Sequence, residues 1–99
     1  MDIKKEAESV IVTPIDNMNV INANDYRNIF NQLIIEGSRN IVIDFSNTNC
    51  IDARAVGIII KTYNTLRELG GTLIITNVKN SKILRVLEIC QVNRVLPIQ

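Results

Sequence analysis

Two aspartates and an arginine around one polar crossing are the residues of this chain whose types and spacing could do chemistry. Ile41-Val42-Ile43-Asp44-Phe45-Ser46 is an apolar run ending at an acid, and Ile51-Asp52-Ala53-Arg54-Ala55-Val56-Gly57 sets a second acid just before a helical pattern. Asp44 and Asp52 are of the type that holds a divalent cation or activates a hydroxyl in phosphoryl chemistry. The plainer account of Asp52 is an N-cap, its carboxylate accepting a first-turn N–H and contributing about 1 kcal/mol. The chain has no histidine. That removes the usual general base, the Ser-His and Cys-His nucleophile pairs and most zinc sites. The cap is therefore the preferred reading; no catalytic residue, metal ligand or cofactor is expected, and an enzyme is the last of the functions considered.

Arg54 opposes the dipole of the helix it opens, which costs roughly a few tenths of a kcal/mol unless an anion lies nearby. A surface pair with Asp52 or Asp25 would supply that anion, and so would an acidic side chain of a partner. At about 100° per residue, Ile58 falls opposite the apolar stripe of its helix, on the side shared by Arg54, Lys61 and Thr65. One exposed isoleucine is ordinary. Beside Arg54 and Lys61 it makes an apolar centre with a basic rim, the composition of a docking face. Gly57, inside the same helix, costs up to about 1 kcal/mol relative to alanine; close packing on a sheet, or approach of a partner, would explain it. The hydroxyls Ser9, Ser38, Ser46, Thr48 and Ser81 read as loop and cap residues.

These residues need a scaffold, and the patterning supplies one. Residues 3–7 suggest a short edge strand, and Val10-Ile11-Val12-Thr13 is β-branched throughout and limited by Pro14. Asp16–Asn19 reads as a loop. Asn22 or Asn24 can cap a first helix with Asp25 in its first turn. Tyr26, Ile29, Phe30, Leu33 and Ile34 form one stripe on that helix, and Gly37 ends it in a left-handed cap. A buried strand at 40–45 follows. The second helix runs from about Arg54 to Leu69 with Val56, Ile59, Ile60, Tyr63 and Leu66 as its stripe, stopped by Gly70-Gly71. Thr72–Thr76 is a strand, Ser81 caps a third helix, and 95–98 is a last extended piece. Strands 40–45 and 72–76 should be parallel neighbours joined by a right-handed crossover. Their nearly continuous apolar runs predict a sheet covered on both faces. The fold class expected is α/β, one domain over residues 1–99, with a mixed sheet of four or five strands and three or more helices.

Composition narrows the function further. With 11 basic and 10 acidic residues the net charge is +1, too weak a field to hold nucleic acid or an anionic membrane. Four aromatic residues are too few for a base-stacking platform. No apolar run approaches the roughly 20 residues that span a bilayer, and the charged N-terminus has no signal-peptide segment, so a cytoplasmic protein without membrane insertion is expected. Cys50 and Cys90 form no CxxC pair and read as free thiols buried like small hydrophobes.

Taken together, these motifs resemble the STAS domain family, which includes the bacterial anti-sigma factor antagonists, and the resemblance spans nearly the whole chain. Asn19-Val20-Ile21-Asn22-Ala23 is similar to the family segment beginning Leu-Asp that leads into the first helix. Residues 41–46 look like its apolar-Asp-Leu-Ser strand, and 51–57 resemble Ile-Asp-Ser-Ser-Gly-Leu-Gly. Residues 70–75 and 83–89 are similar to the later strand and helix. The resemblance implies a STAS-type fold and a binding role: an antagonist docks on a serine kinase that is also an anti-sigma factor, and phosphorylation of the second serine breaks the complex. A phosphate would add about −1.5 to −2 charge there. In this chain Ala53 and Arg54 stand at the two serines and Ala55 at the glycine, so no phospho-acceptor exists at position 54. Asn19 replaces the family's aspartate.

The function expected is a partner-switching type of regulatory interaction module that binds an anti-sigma factor or serine kinase-like protein. Asp52, Ala53, Arg54, Ile58, Lys61 and Asn19 are its candidate partner-binding residues, and a homodimer is left open. The alternatives are a STAS-like accessory subunit of an ABC lipid transporter, docked on the ATPase, or a scaffold subunit of a signalling assembly. Gene neighbours separate them: a sigma factor and kinase in the first case, a permease and ATPase in the second.

Overall fold

In the computed structural model, which describes residues 2–99, the β-branched runs all become strands. The chain folds in the order β1 (Asp2–Lys5), β2 (Val10–Thr13), β3 (Asp16–Met18), α1 (Ala23–Ile35), β4 (Asn40–Asp44), β5 (Thr48–Ile51), α2 (Ala53–Glu68), β6 (Thr72–Thr76) and α3 (Ser81–Ile89), with a 3₁₀ turn at Val92–Arg94. A four-stranded sheet has the order β1-β2-β4-β6; β1 is antiparallel to β2, and β2, β4 and β6 are parallel. The extended piece near the C-terminus is reduced to one parallel bridge, Ile98 beside Ile75. Among the described residues no helix is long and apolar enough to cross a membrane.

Two segments read as loops are strands. Asp16–Met18 and Thr48–Ile51 pair in parallel as a separate two-stranded ribbon. Their polar composition hides them, because few of their residues are buried: Met18 and Ile51 at their ends, and Thr48, whose hydroxyl donates to the Pro14 carbonyl at 2.8 Å. The third helix begins one residue earlier than its cap suggested, since Asn80 and not Ser81 accepts from the Lys82 N–H.

The sheet is covered on one side, not two. Both crossovers, β2 to β4 and β4 to β6, step the same way across the sheet, and right-handed crossovers in one direction put their helices on one face. Val10, Val12, Ile41, Ile43, Leu73 and Ile75 on that face are buried, while Ile11, Val42 and Ile74 on the other stay half-exposed. An apolar run read along the chain cannot distinguish these two rows.

Helix α1 buries Tyr26, Phe30 and Leu33 and ends as expected: Gly37 takes φ +100, and Ser38 and Gly37 donate back to the Leu33 and Ile34 carbonyls. Helix α2 is turned from the expected stripe by roughly a sixth of a turn. It buries Ala55, Val56, Ile58, Ile59, Thr62 and Leu66, whereas Ile60 and Tyr63 are only partly covered. The cause is α1, which packs beside α2 and covers a second arc of its surface. Small and polar residues at 55 and 62 accept that close neighbour, and a scale that weights only large apolar side chains misses them.

Glycines mark where backbone conditions are strict. At Gly71 a Cβ would lie 2.0 Å from the Arg39 carbonyl oxygen, the same oxygen that accepts the Thr72 N–H at 2.8 Å. Gly57 is different: a Cβ there meets nothing within 4 Å, so close packing on the sheet does not explain it. Gly71→Ala is therefore expected to destabilise the fold by about 2–3 kcal/mol, and Gly57→Ala to stabilise it by about 0.5–1 kcal/mol; urea unfolding midpoints of the two variants check both signs.

Candidate functional site

The polar rim is assembled by the carboxylate of Asp52. Its backbone is extended, which aims the side chain back over the first turn of α2, and Oδ1 accepts from the Ala55 N–H at 3.0 Å. Oδ2 accepts from the Val20 N–H at 2.8 Å, in the loop ahead of α1. The Asp52 N–H itself donates to the Met18 carbonyl at 3.2 Å. One residue thus caps a helix and ties it to the neighbouring loop, as the N-cap account requires and beyond it.

That loop is held in shape by its asparagines. Asn22 Oδ1 accepts from the Asn19 N–H at 2.9 Å, Asn19 Oδ1 accepts from the Ile21 N–H at 3.0 Å, and Asn22 Nδ2 donates to the Asn17 carbonyl at 2.7 Å. Asn22 stands at the N-cap position of α1 but makes no side-chain cap bond, because its oxygen is used within the loop. The inward satisfaction of these polar groups leaves Val20 and Ile21 projecting outward, 67% and 88% exposed. Two adjacent apolar residues in an asparagine-rich loop are the sequence signal for this patch.

Ala53 and Arg54 are exposed beside the loop, and Arg54 Nη2 donates to Asn24 Oδ1 at 3.3 Å. Neither Asp52 nor Asp25 pairs with it; the ion pairs among the described residues are Lys4–Glu6 and Lys5–Glu36. Lys61 is exposed on the same side of α2, but Ile58 is only 7% exposed and belongs to the core. The expected exposed isoleucine is instead the floor of a narrow cleft between α1 and α2, since the side of α2 carrying 54, 58, 61 and 65 faces Arg27 and Asn31 of α1. Cys50, expected buried, is exposed on β5 with Sγ 3.1 Å from Asn17 Oδ1, and Cys90 is half-buried; both are free thiols.

Asp44 is a separate construction. Its Oδ1 accepts from the Ser46 N–H at 2.9 Å and from Asn77 Nδ2 at 3.1 Å. Burial pushes its carboxyl upward, but the Ser46 and Asn77 hydrogen bonds and the nearby Lys79 charge outweigh it and hold the group below the usual carboxylate value. Asp44 and Asp52 each have their own donors and no shared one, and no cluster of three or more metal-ligating side chains occurs among the described residues.

Comparison with known proteins gives this geometry a setting. The STAS domain profile matches residues 1–99. A candidate anti-sigma factor antagonist of Thermotoga neapolitana is 26% identical over 90 residues, covering 90% of this chain and 79% of that protein. The crystal structure of a candidate anti-sigma factor antagonist from Thermotoga maritima superposes with a TM-score of 0.90 at 24% identity, over 98% of this chain and 83% of the other. The Bacillus cell-fate determinant SpoIIAA in its phosphorylated form superposes with a TM-score of 0.76 at 15% identity, over 99% and 89%. These structures share the fold.

Two outcomes follow from the hydrogen bonds. Asp52→Ala should lower stability by about 1–2 kcal/mol and speed hydrogen exchange at the Val20 and Ala55 amides, while leaving exchange in β4 unchanged. Because Asp44 is acidified by folding, its contribution is present above the ordinary carboxylate value and is lost as pH falls through its lowered folded value. Urea melts taken between neutral and strongly acidic pH should show a shallower acid loss for Asp44→Asn than for the wild type.

Proposed function

The chain belongs to the STAS domain family, and we propose that it binds an anti-sigma factor or serine kinase-type protein without being switched at position 54. It is a regulatory protein-interaction module resembling the anti-sigma factor antagonists. The observation that carries the finer reading is an exposed arginine, Arg54, in the first turn of α2 where the family's motif has its second serine. A serine there can change by about −1.5 to −2 charges on phosphorylation; an arginine keeps one positive charge throughout. Occupancy of the complex then follows partner concentration and affinity and not a covalent mark.

The docking surface in this reading joins Val20 and Ile21 to Asn19, Ala53, Arg54 and Lys61. Asp52 fixes the loop against the helix, and Ile58 supports the surface from beneath. Apolar area from the loop supplies the anchor, and the cations select the partner and steer its approach. Asn19 acts through the turn it closes, because its side-chain oxygen is engaged with the Ile21 N–H.

Calorimetric titration with an anti-sigma kinase encoded beside this chain tests the reading. Val20→Asp with Ile21→Asp should weaken binding by at least about tenfold, with the thermal unfolding of the variant unchanged; equal affinity would remove the surface. In the same mixture with labelled ATP, no phosphate should appear at position 54, and mass spectrometry of the tryptic peptides reads this directly.

A further inference from the structure

We propose that the cleft between α1 and α2 takes an acidic helical segment of a protein partner, with an apolar residue seated over Ile58 and a carboxylate near each end of the cleft. This rests on the reading of the chain as an interaction module and adds the chemistry of what one of its surfaces accepts. Asn24, Arg27 and Asn31 recur on one side of α1, and Arg54, Ile58, Lys61 and Thr65 on one side of α2, at the spacings that make a continuous helix face. The cleft they flank is about 50 Å³, lined by Arg27, Asn31, Ile58, Lys61, Thr62 and Thr65. A cofactor or nucleotide needs several hundred Å³, roughly 300 or more. This space admits one side chain.

The charge of the cleft is uncompensated. Arg27, Arg54 and Lys61 are exposed, and among the described residues none of them has a carboxylate within 4.0 Å. Asp25, the nearest acid in sequence to Arg27, projects about 160° away around α1. Arg27 and Lys61 line the cleft, and Arg54 stands one turn of α2 before Ile58, held to Asn24 of α1; in a chain of net charge +1 this is a local excess, which selects a small anionic group and not a long polyanion. The apolar floor selects a residue that nucleic acid does not offer. Arg54 and Lys61 are seven residues apart, about 10.5 Å along the helix. A partner helix with carboxylates seven residues apart and an apolar residue between them matches both ends and the floor.

The test uses the full chain and a synthetic, fluorescein-labelled helical peptide of about five turns carrying two glutamates seven residues apart with a leucine between them. Anisotropy should show saturable binding, and amide shifts should concentrate on residues 24–31 and 54–65. Arg27→Glu with Lys61→Glu should weaken the peptide by at least about tenfold while circular dichroism shows an unchanged melt, and replacing the two glutamates by glutamine should do the same. Equal binding by the glutamine peptide, or shifts confined to other parts of the molecule, overturns the proposal. So does equal retention of a single-stranded oligonucleotide or of anionic vesicles, lost with the same substitutions. If the anti-sigma kinase binds normally and the peptide does not bind, this inference fails alone; if the peptide binds and no such kinase does, the partner assignment fails and the cleft chemistry stands.

Discussion

A single carboxylate accepting two backbone N–H groups from different elements sets the arrangement on which the rim depends. Asp52 joins the start of α2 to the turn before α1, at 3.0 and 2.8 Å. Without it, the loop carrying Val20 and Ile21 would be fixed only by its own asparagines. Both Asp52 oxygens are taken by backbone N–H groups, and the Arg54 guanidinium reaches instead to Asn24 on α1. One side chain thus holds together the two elements that frame the rim.

Much of this was legible in the residues. The parallel pair β4–β6, the left-handed stops at Gly37 and Gly70, and the Asp52 cap follow from β-branched runs, glycine at helix ends and an acid before a helical period. These are local signals with one physical cause each. The family resemblance carried over the same stretches, and the profile match confirms it along the chain.

What was not legible depends on neighbours distant in sequence. Ile58 is buried because α1 lies against α2, a fact absent from the wheel of α2 alone. Thr48 and Cys50 sit in a strand whose partner, β3, is more than thirty residues earlier and equally polar, so neither announces the pairing. The half-open sheet was missed for a similar reason: Ile11, Val42 and Ile74 are as apolar as the residues beside them, and only the direction of the crossovers decides which row is covered. Gly57 has no packing account in this structure.

The contact between Gly71 and the Arg39 carbonyl gives the molecule a stiff pole. There, backbone lies on backbone, and β4 and β6 leave the helices at one level with no room for even a methyl group. The opposite pole, at 19–22 and 53–54, is built from side chains hung on a cap and open to solvent. A substitution at the second pole therefore meets solvent and side chains, whereas one at Gly71 meets backbone, so the two ends of α2 differ in how much change they accept.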